Sequence, residues 1–271
     1  MIFLRRRSSR RCCLSFVFAA ICLVIASCST VVPPAPEPQV SGKRWKSGEL
    51  IQSLAQRREQ FRSLRSLARL DYAGPDGKGN VQEAVLVQRP DRLRLETLTF
   101  LGAVLIVTVD DQEIIGYHPR EGIFVRGRPT TANLLRYTQI PLRIDDITAL
   151  LLGLPPVDPN QPSRQEENAL VFSSEGRKQD ALTFDAPTPV PTKWERFNDA
   201  GAVEMSARFL DYIHTVAGEF PSRIQIEAQS QRRKLEIRYQ EPEFNVSLAP
   251  EVFTQQKPAH AQEMQLEALG G

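Results

Sequence analysis

Hydrophobic and polar positions along this chain alternate mostly in short runs, with helical spacing at only a few places. At the start of the globular part, Leu50, Leu54, Phe61 and Leu64 fall on related turns with charged residues between them, which predicts a helix. Strands follow. Leu64–Tyr72 and Val81–Gln88 flank the turn-rich stretch 74–80, the pattern of a hairpin. Asp91–Leu98, Ala103–Val109, Glu113–Tyr117 and Gly122–Val125 continue the series as an antiparallel meander. Val104–Val109 and Ala84–Val87 are apolar on both faces, so these strands are expected to be covered on both sides. Helical spacing returns at Thr131–Tyr137 and from about Asp146 to Leu152, the second helix capped by Asp145 and stopped by Gly153 and Pro155-Pro156. Strands resume at Leu170–Ser173, Ala181–Asp185, Lys193–Asn198, Val203–Asp211, Arg223–Ala228 and Lys234–Gln240. In the last of these, Leu235, Ile237 and Tyr239 share one face and Glu236, Arg238 and Gln240 the other.

About a dozen antiparallel strands with three helices predict a mainly β fold, an unclosed antiparallel barrel plugged by the helices around an apolar cavity. Candidates to line that cavity are Leu93, Leu95, Leu105, Val107, Ile224, Ile226, Leu235 and Ile237 from the strands and Leu151 from a covering helix. The same residues equally describe a plain core, because apolar alternation does not distinguish a cavity wall from packed interior. Trp45 and Trp194 fit packing at the cavity mouth or anchoring of the fold, and are read as anchors.

The termini change the picture. Arg5, Arg6, Arg7, Arg10 and Arg11 precede an apolar stretch from Leu14 to Ala26, and small residues lead into Cys28, the layout of a secretory signal over residues 1–27. The run is shorter than the roughly 20 residues that span a bilayer permanently. Ile25-Ala26-Ser27-Cys28 resembles a bacterial lipobox, which implies diacylglycerol on the Cys28 thiol and an acyl chain on its amine; no other cofactor is expected. By the same resemblance, Ser29 points to the periplasmic face of the outer membrane. Residues 28–44 hold Pro33, Pro34, Pro36 and Pro38 and read as an extended linker, residues 45–254 as one domain, and 255–271 as a loose tail with a short helix at Gln262–Leu269.

Cys12, Cys13 and Cys22 all lie in the segment to be removed, so no internal disulfide is possible in the mature chain. Losing the five signal arginines takes the formal charge from +2 to −3, which argues against a nucleic-acid partner. The densest basic run, Arg57, Arg58, Arg62, Arg65 and Arg69, is interrupted at its start by Glu49 and Glu59 and reads as a solvated helix face. Catalytic and metal-binding patterns are thin. His118, His214 and His260 are scattered, Gly74, Gly77 and Gly79 sit in a turn rather than before a helix, Asp110-Asp111 suit a turn, and there is no Gly-x-Ser-x-Gly elbow. The expectation is a protein that is not an enzyme.

Phe100-Leu101-Gly102-Ala103 between two strands, and Ile140-Pro141-Leu142 followed by Leu150-Leu151-Leu152-Gly153-Leu154-Pro155, resemble LolB of the LolA/LolB lipoprotein-localisation family. Both carry a lipobox and a helix before the first strand. Gln88-Arg89-Pro90-Asp91-Arg92-Leu93 looks more like uncharacterised LolB-like lipoproteins. The resemblance implies an open barrel under three helices, in a monomer that accepts acylated lipoproteins from a LolA-like periplasmic carrier and inserts them into the outer membrane. It also implies that Phe100, Leu101 and Gly102 form a protruding loop touching the bilayer, where the residues alone fit inward packing as well. The alternatives are a binder of another lipid or glycolipid on this scaffold, or a structural or assembly lipoprotein.

Overall fold

The computed structural model describes residues 44–268 apart from 139 and 186. Helix α1 (Ser47–Gln60) opens with the Glu49 carboxylate accepting the Lys46 N–H at 2.8 Å, and it buries Leu50 and Leu54. A first meander follows: β1 (Ser63–Gly74), β2 (Gly77–Gln88), β3 (Arg92–Thr99), β4 (Gly102–Val109), β5 (Ile114–His118) and β6 (Ile123–Gly127). Helices α2 (Thr131–Thr138) and α3 (Ile144–Leu151) then cross to a second meander. It comprises β7 (Ser163–Glu166), β8 (Ala169–Ser174), β9 (Arg177–Phe184), β10 (Pro191–Phe197), β11 (Val203–Thr215), β12 (Gly218–Ala228) and β13 (Arg233–Phe244), and a last strand, β14 (Gln262–Gln265), ends the sheet.

All fourteen strands form one sheet in the order β14-β6-β5-β4-β3-β2-β1-β13-β12-β11-β10-β9-β8-β7. Neighbours run antiparallel except β14, which lies parallel to β6. The two meanders join where β1 pairs with β13, and the sheet does not close on itself. Register puts one apolar set inward: Leu64 opposite Val87, Val85 opposite Leu95, Leu95 opposite Val107, Ile224 opposite Ile237. The mainly β, unclosed architecture with three helices is the one expected from the pattern.

An ionic cluster ties α3 to the sheet. Asp180 on β9 accepts from Trp194 Nε1 at 2.9 Å and from Arg196 Nε at 3.0 Å, while Arg196 Nη1 donates to Asp146 of α3 at 2.9 Å. Trp194 is fully buried, in keeping with its reading as an anchor. Burial pushes the Asp180 carboxyl up, and Arg196 opposes that shift.

Several expectations need correction. Helix α3 starts at Ile144, so Asp145 is not its cap; Asp145 pairs with Arg143, and the Asp146 carboxylate takes the Arg143 N–H at 3.5 Å. Arg57 does not lie on a solvated face. It is buried with Nη1 on Glu219 O at 2.7 Å and its guanidinium between the Phe61 and Tyr212 rings, because α1 turns this position toward β12. The helix expected at Gln262–Leu269 does not form over the described residues: β14 occupies Gln262–Gln265, followed by a 3₁₀ turn at Leu266–Ala268. The free edge of β6 offers backbone partners to this segment, and Leu266 is buried against Gly127. Strand β7 was not legible because Ser163-Arg164-Gln165-Glu166 has no apolar alternation.

The segment before β14 also explains why β4 is apolar on both faces. Gln255 Nε2 donates to Thr108 Oγ1 at 3.1 Å and to Ile106 O at 3.3 Å, and Arg94 Nη1 donates to Val252 O at 3.0 Å. Ile115, Phe124 and Ala261 form a small second core on this outer side. The double cover expected for Ala84–Val87 is absent: Ala84 and Leu86 line an open 690 Å³ groove with Leu67, on the face opposite the main core.

Candidate functional site at the open end of the sheet

Antiparallel order places the turns at 75–76, 100–101, 119–122 and 229–232 at one end of the sheet. The other end is sealed. There Phe61, Phe220 and Phe244 form a ring cluster with centroids 4.6 to 5.9 Å apart. Tyr239 OH donates to Leu151 O at 2.8 Å, fixing α3 against β13; burial raises this phenol's pKa, so it stays a donor. Gly153, at φ +66°, leaves room for Pro221 where an added Cβ would fall 2.7 Å from the Pro221 ring.

On β1, β3, β4 and β13, inward-facing residues lose cover from the sealed end to the open one. On β1, Leu64 and Ala68 are buried, Leu70 is partly exposed and Tyr72 reaches 44%. On β3 and β4, Leu93, Val107 and Val109 are buried, whereas Leu95 and Leu105 are partly exposed. On β13, Ile237 is buried and Leu235 is not fully so, whereas Ile224, Ile226 and Ala228 on β12 all stay buried. Tyr72, Ile226 and Leu235 line a 640 Å³ depression at this end, rimmed by Asp71, Lys78, Glu227 and Lys234.

All nine predicted lining residues therefore belong to one apolar cluster, divided by depth. Leu93, Val107, Leu151, Ile224 and Ile237 pack deep inside; Leu95, Leu105 and Leu235 are partly exposed toward the open end; and Ile226, though buried, borders the depression beside Leu235. Cys28, the predicted lipidation position, lies outside the described residues.

Phe100 and Leu101 are the two residues at the tip of the β3–β4 hairpin, 95% and 70% exposed. Thr99 Oγ1 accepts the Leu101 N–H at 3.3 Å and donates to Gly102 O at 3.0 Å. Gly102 sits at φ +101° with open space around it, so glycine is required by the backbone rather than by packing. Val104 has no partner on β3, since Thr97 faces Leu105 and Leu98 faces Ala103; this bulge re-aims the tip. Two large apolar side chains thus project at the same end as the partly exposed apolar wall.

One residue pair was missed from sequence. Glu83 faces inward on β2, opposite Ala68 and Thr97, and is only 6% exposed. Thr97 Oγ1 donates to Glu83 Oε1 at 2.6 Å, while Glu83 Oε2 is buried without a protein partner. Burial pushes the carboxyl up and the Thr97 hydrogen bond partly offsets it. The signal was present: in Val81-x-Glu83-x-Val85-x-Val87 a carboxylate interrupts an otherwise apolar face.

Among the described residues, no group of three or more His, Cys, Asp and Glu side chains is arranged to hold a metal ion. His214 pairs with Glu219 at 2.8 Å, and His260 lies 3.3 Å from Tyr117 OH, on separate parts of the sheet.

No protein-family model and no curated protein sequence matches the chain. Solved structures do. A putative outer membrane lipoprotein-sorting protein domain from Vibrio parahaemolyticus superposes with TM-score 0.53 at 9% identity, over 77% of this chain and 97% of that one. A DUF1329-family protein from Desulfovibrio piger gives 0.56 at 10% identity over 77% and 95%. A LolA-superfamily protein from Nitrosomonas europaea gives 0.50 at 12% identity over 76% and 97%. At such identities the likeness is one of fold, and the fold is LolA-like.

Proposed function

We propose that this protein is a lipid-anchored receptor that takes the acyl chains of a client lipoprotein into the open end of its sheet and releases them into a bilayer through the Phe100–Leu101 tip. The observation that carries the reading is the coincidence, at one end, of a partly exposed apolar wall and an exposed apolar hairpin tip. An acyl chain crossing water gains roughly 25 cal/mol for each Å² of apolar surface it hides, which gives the wall its use. Insertion of Leu101 alone would contribute about 1.5–3 kcal/mol to bilayer contact, a weak and reversible touch suited to delivery. Anchoring through Cys28 and the proline-rich linker, on the periplasmic face of the outer membrane, would hold the open end within reach of that bilayer. The LolA-like fold supports the reading, and the superposed domain's description as lipoprotein-sorting agrees with it.

The depression's charged rim, Asp71, Lys78, Glu227 and Lys234, also favours a second reading, a carrier of a free amphiphile with a polar head. Full-length lipidated protein in liposomes, mixed with a periplasmic carrier loaded with labelled lipoprotein, separates the two. The receptor reading expects label to pass onto the protein and then into the bilayer. Leu101→Glu should leave acceptance intact and slow delivery about tenfold, the loss of roughly 1.4 kcal/mol. No transfer from an active carrier, with lipid co-purifying instead, would contradict the receptor and favour the amphiphile carrier.

A further inference from the structure

We infer that Glu83, held by Thr97, is the polar contact at the floor of the open end, and that it selects amphiphiles whose head carries a hydrogen-bond donor next to the acyl chain. The inference rests on the acyl-binding reading above and adds which chemistry the site accepts. Glu83 stands where cover changes along β2: Val85 and Val87 toward the sealed end are buried, and Val81 toward the open end is partly exposed. Its cross-strand neighbours are Ala68, which has no polar side-chain atom, and Thr97, whose hydroxyl is committed to Oε1. Oε2 is left as a buried acceptor with no protein donor, in a protein where the other buried carboxylates, Asp180 and Asp146, are met by Trp194 and Arg196.

An unsatisfied buried acceptor is costly, and a ligand donor that reaches it regains that cost on binding. The chains of such a ligand would lie along Leu95, Leu105 and Leu235 while an amide N–H or a hydroxyl at the chain head meets Oε2. A bare fatty acid at neutral pH brings a carboxylate instead, which offers no donor and repels the site. The same donor chemistry occurs on the N-acylated terminus of a lipoprotein and on an acylglycerol or glycolipid.

Full-length protein in phosphatidylcholine liposomes would be photolabelled with three diazirine probes of equal chain length: an N-acyl glycinamide, a monoacylglycerol and a free fatty acid. Peptide mapping would score adducts at Tyr72, Leu95, Leu105 and Leu235. At neutral pH one or both donor-bearing probes should label these positions about tenfold more than the acid, the discrimination that one satisfied buried acceptor supplies. An amide lead identifies a lipoprotein-like head, and a glycerol lead an acylglycerol or glycolipid head. Glu83→Gln, which keeps volume and removes the charge, should bring the acid within about twofold of the better donor probe. Equal labelling by all three probes, or a ratio unchanged in Glu83→Gln, would overturn the role of Glu83 while leaving the acyl-binding wall in place. Absence of labelling by any probe would overturn both.

Discussion

The two ends of the concave face are built from the same strands and the same kinds of residue, yet one is packed shut and the other is not. Leu93 and Leu95 lie two residues apart on β3, as Leu235 and Ile237 do on β13, and nothing in their identity separates the buried member of each pair from the partly exposed one. What separates them is the position of α1 and α3. Where these helices lie, Phe61, Phe220, Phe244 and Tyr239 close the interior and Trp194 with Asp180, Arg196 and Asp146 locks α3 down. Beyond their reach, Leu70, Tyr72, Leu95, Leu105 and Leu235 remain partly uncovered. A cavity wall is thus a core from which the covering element has been withheld.

Stability measurements can sharpen that contrast, from large effects to small. Trp194→Ala removes a fully buried ring and strands Asp180, and should cost about 3–5 kcal/mol by chemical denaturation. Ile237→Ala, deep in the same cluster, should cost about 2–5 kcal/mol, whereas Leu235→Ala at the open end should cost no more than about 1 kcal/mol. Equal costs for those two substitutions would break the contrast. Leu101→Glu should change stability by less than about 0.5 kcal/mol, because the side chain projects from the tip into solvent.

Glu83 adds a pH signature to the open end. Its carboxyl is pushed up in the folded protein, so its contribution is fully present below the unfolded value and is lost as pH rises through the folded one. Relative to Glu83→Gln, the wild-type protein should therefore lose stability as pH climbs from about 4 toward neutrality. Denaturation midpoints of the two proteins across that range check the sign; a wild-type midpoint that rises relative to that of Glu83→Gln with increasing pH would contradict it.

Much of this architecture was legible in the chain. Alternation at Leu235, Ile237 and Tyr239 named the inward face, and Gly102 between two apolar strands marked a hairpin tip. The pattern could not place cover that comes from far away in sequence. Val104–Val109 announced a second covering layer, but the layer is the stretch around Val252 and Gln255, where the domain was expected to give way to a loose tail at residue 255. Gln262–Gln265 became a strand because β6 offered an edge, a tertiary fact that outweighs the weak preference of four residues. Arg57 belonged to a basic run and is nonetheless buried, since two backbone carbonyls and two rings receive it. Depth within the concave face was illegible for the same reason: it depends on where α1 and α3 stop.

The central claim is that the open end, and not the sealed end, receives acyl chains. A photoreactive amino acid placed in turn at Leu95, Leu235, Leu93 and Ile224 of the full-length protein, followed by exposure to an acylated lipoprotein, tests it most directly. The account predicts adducts at Leu95 and Leu235 and none at Leu93 or Ile224. Adducts at the deep pair, or at none of the four with a client known to be acylated, would contradict it.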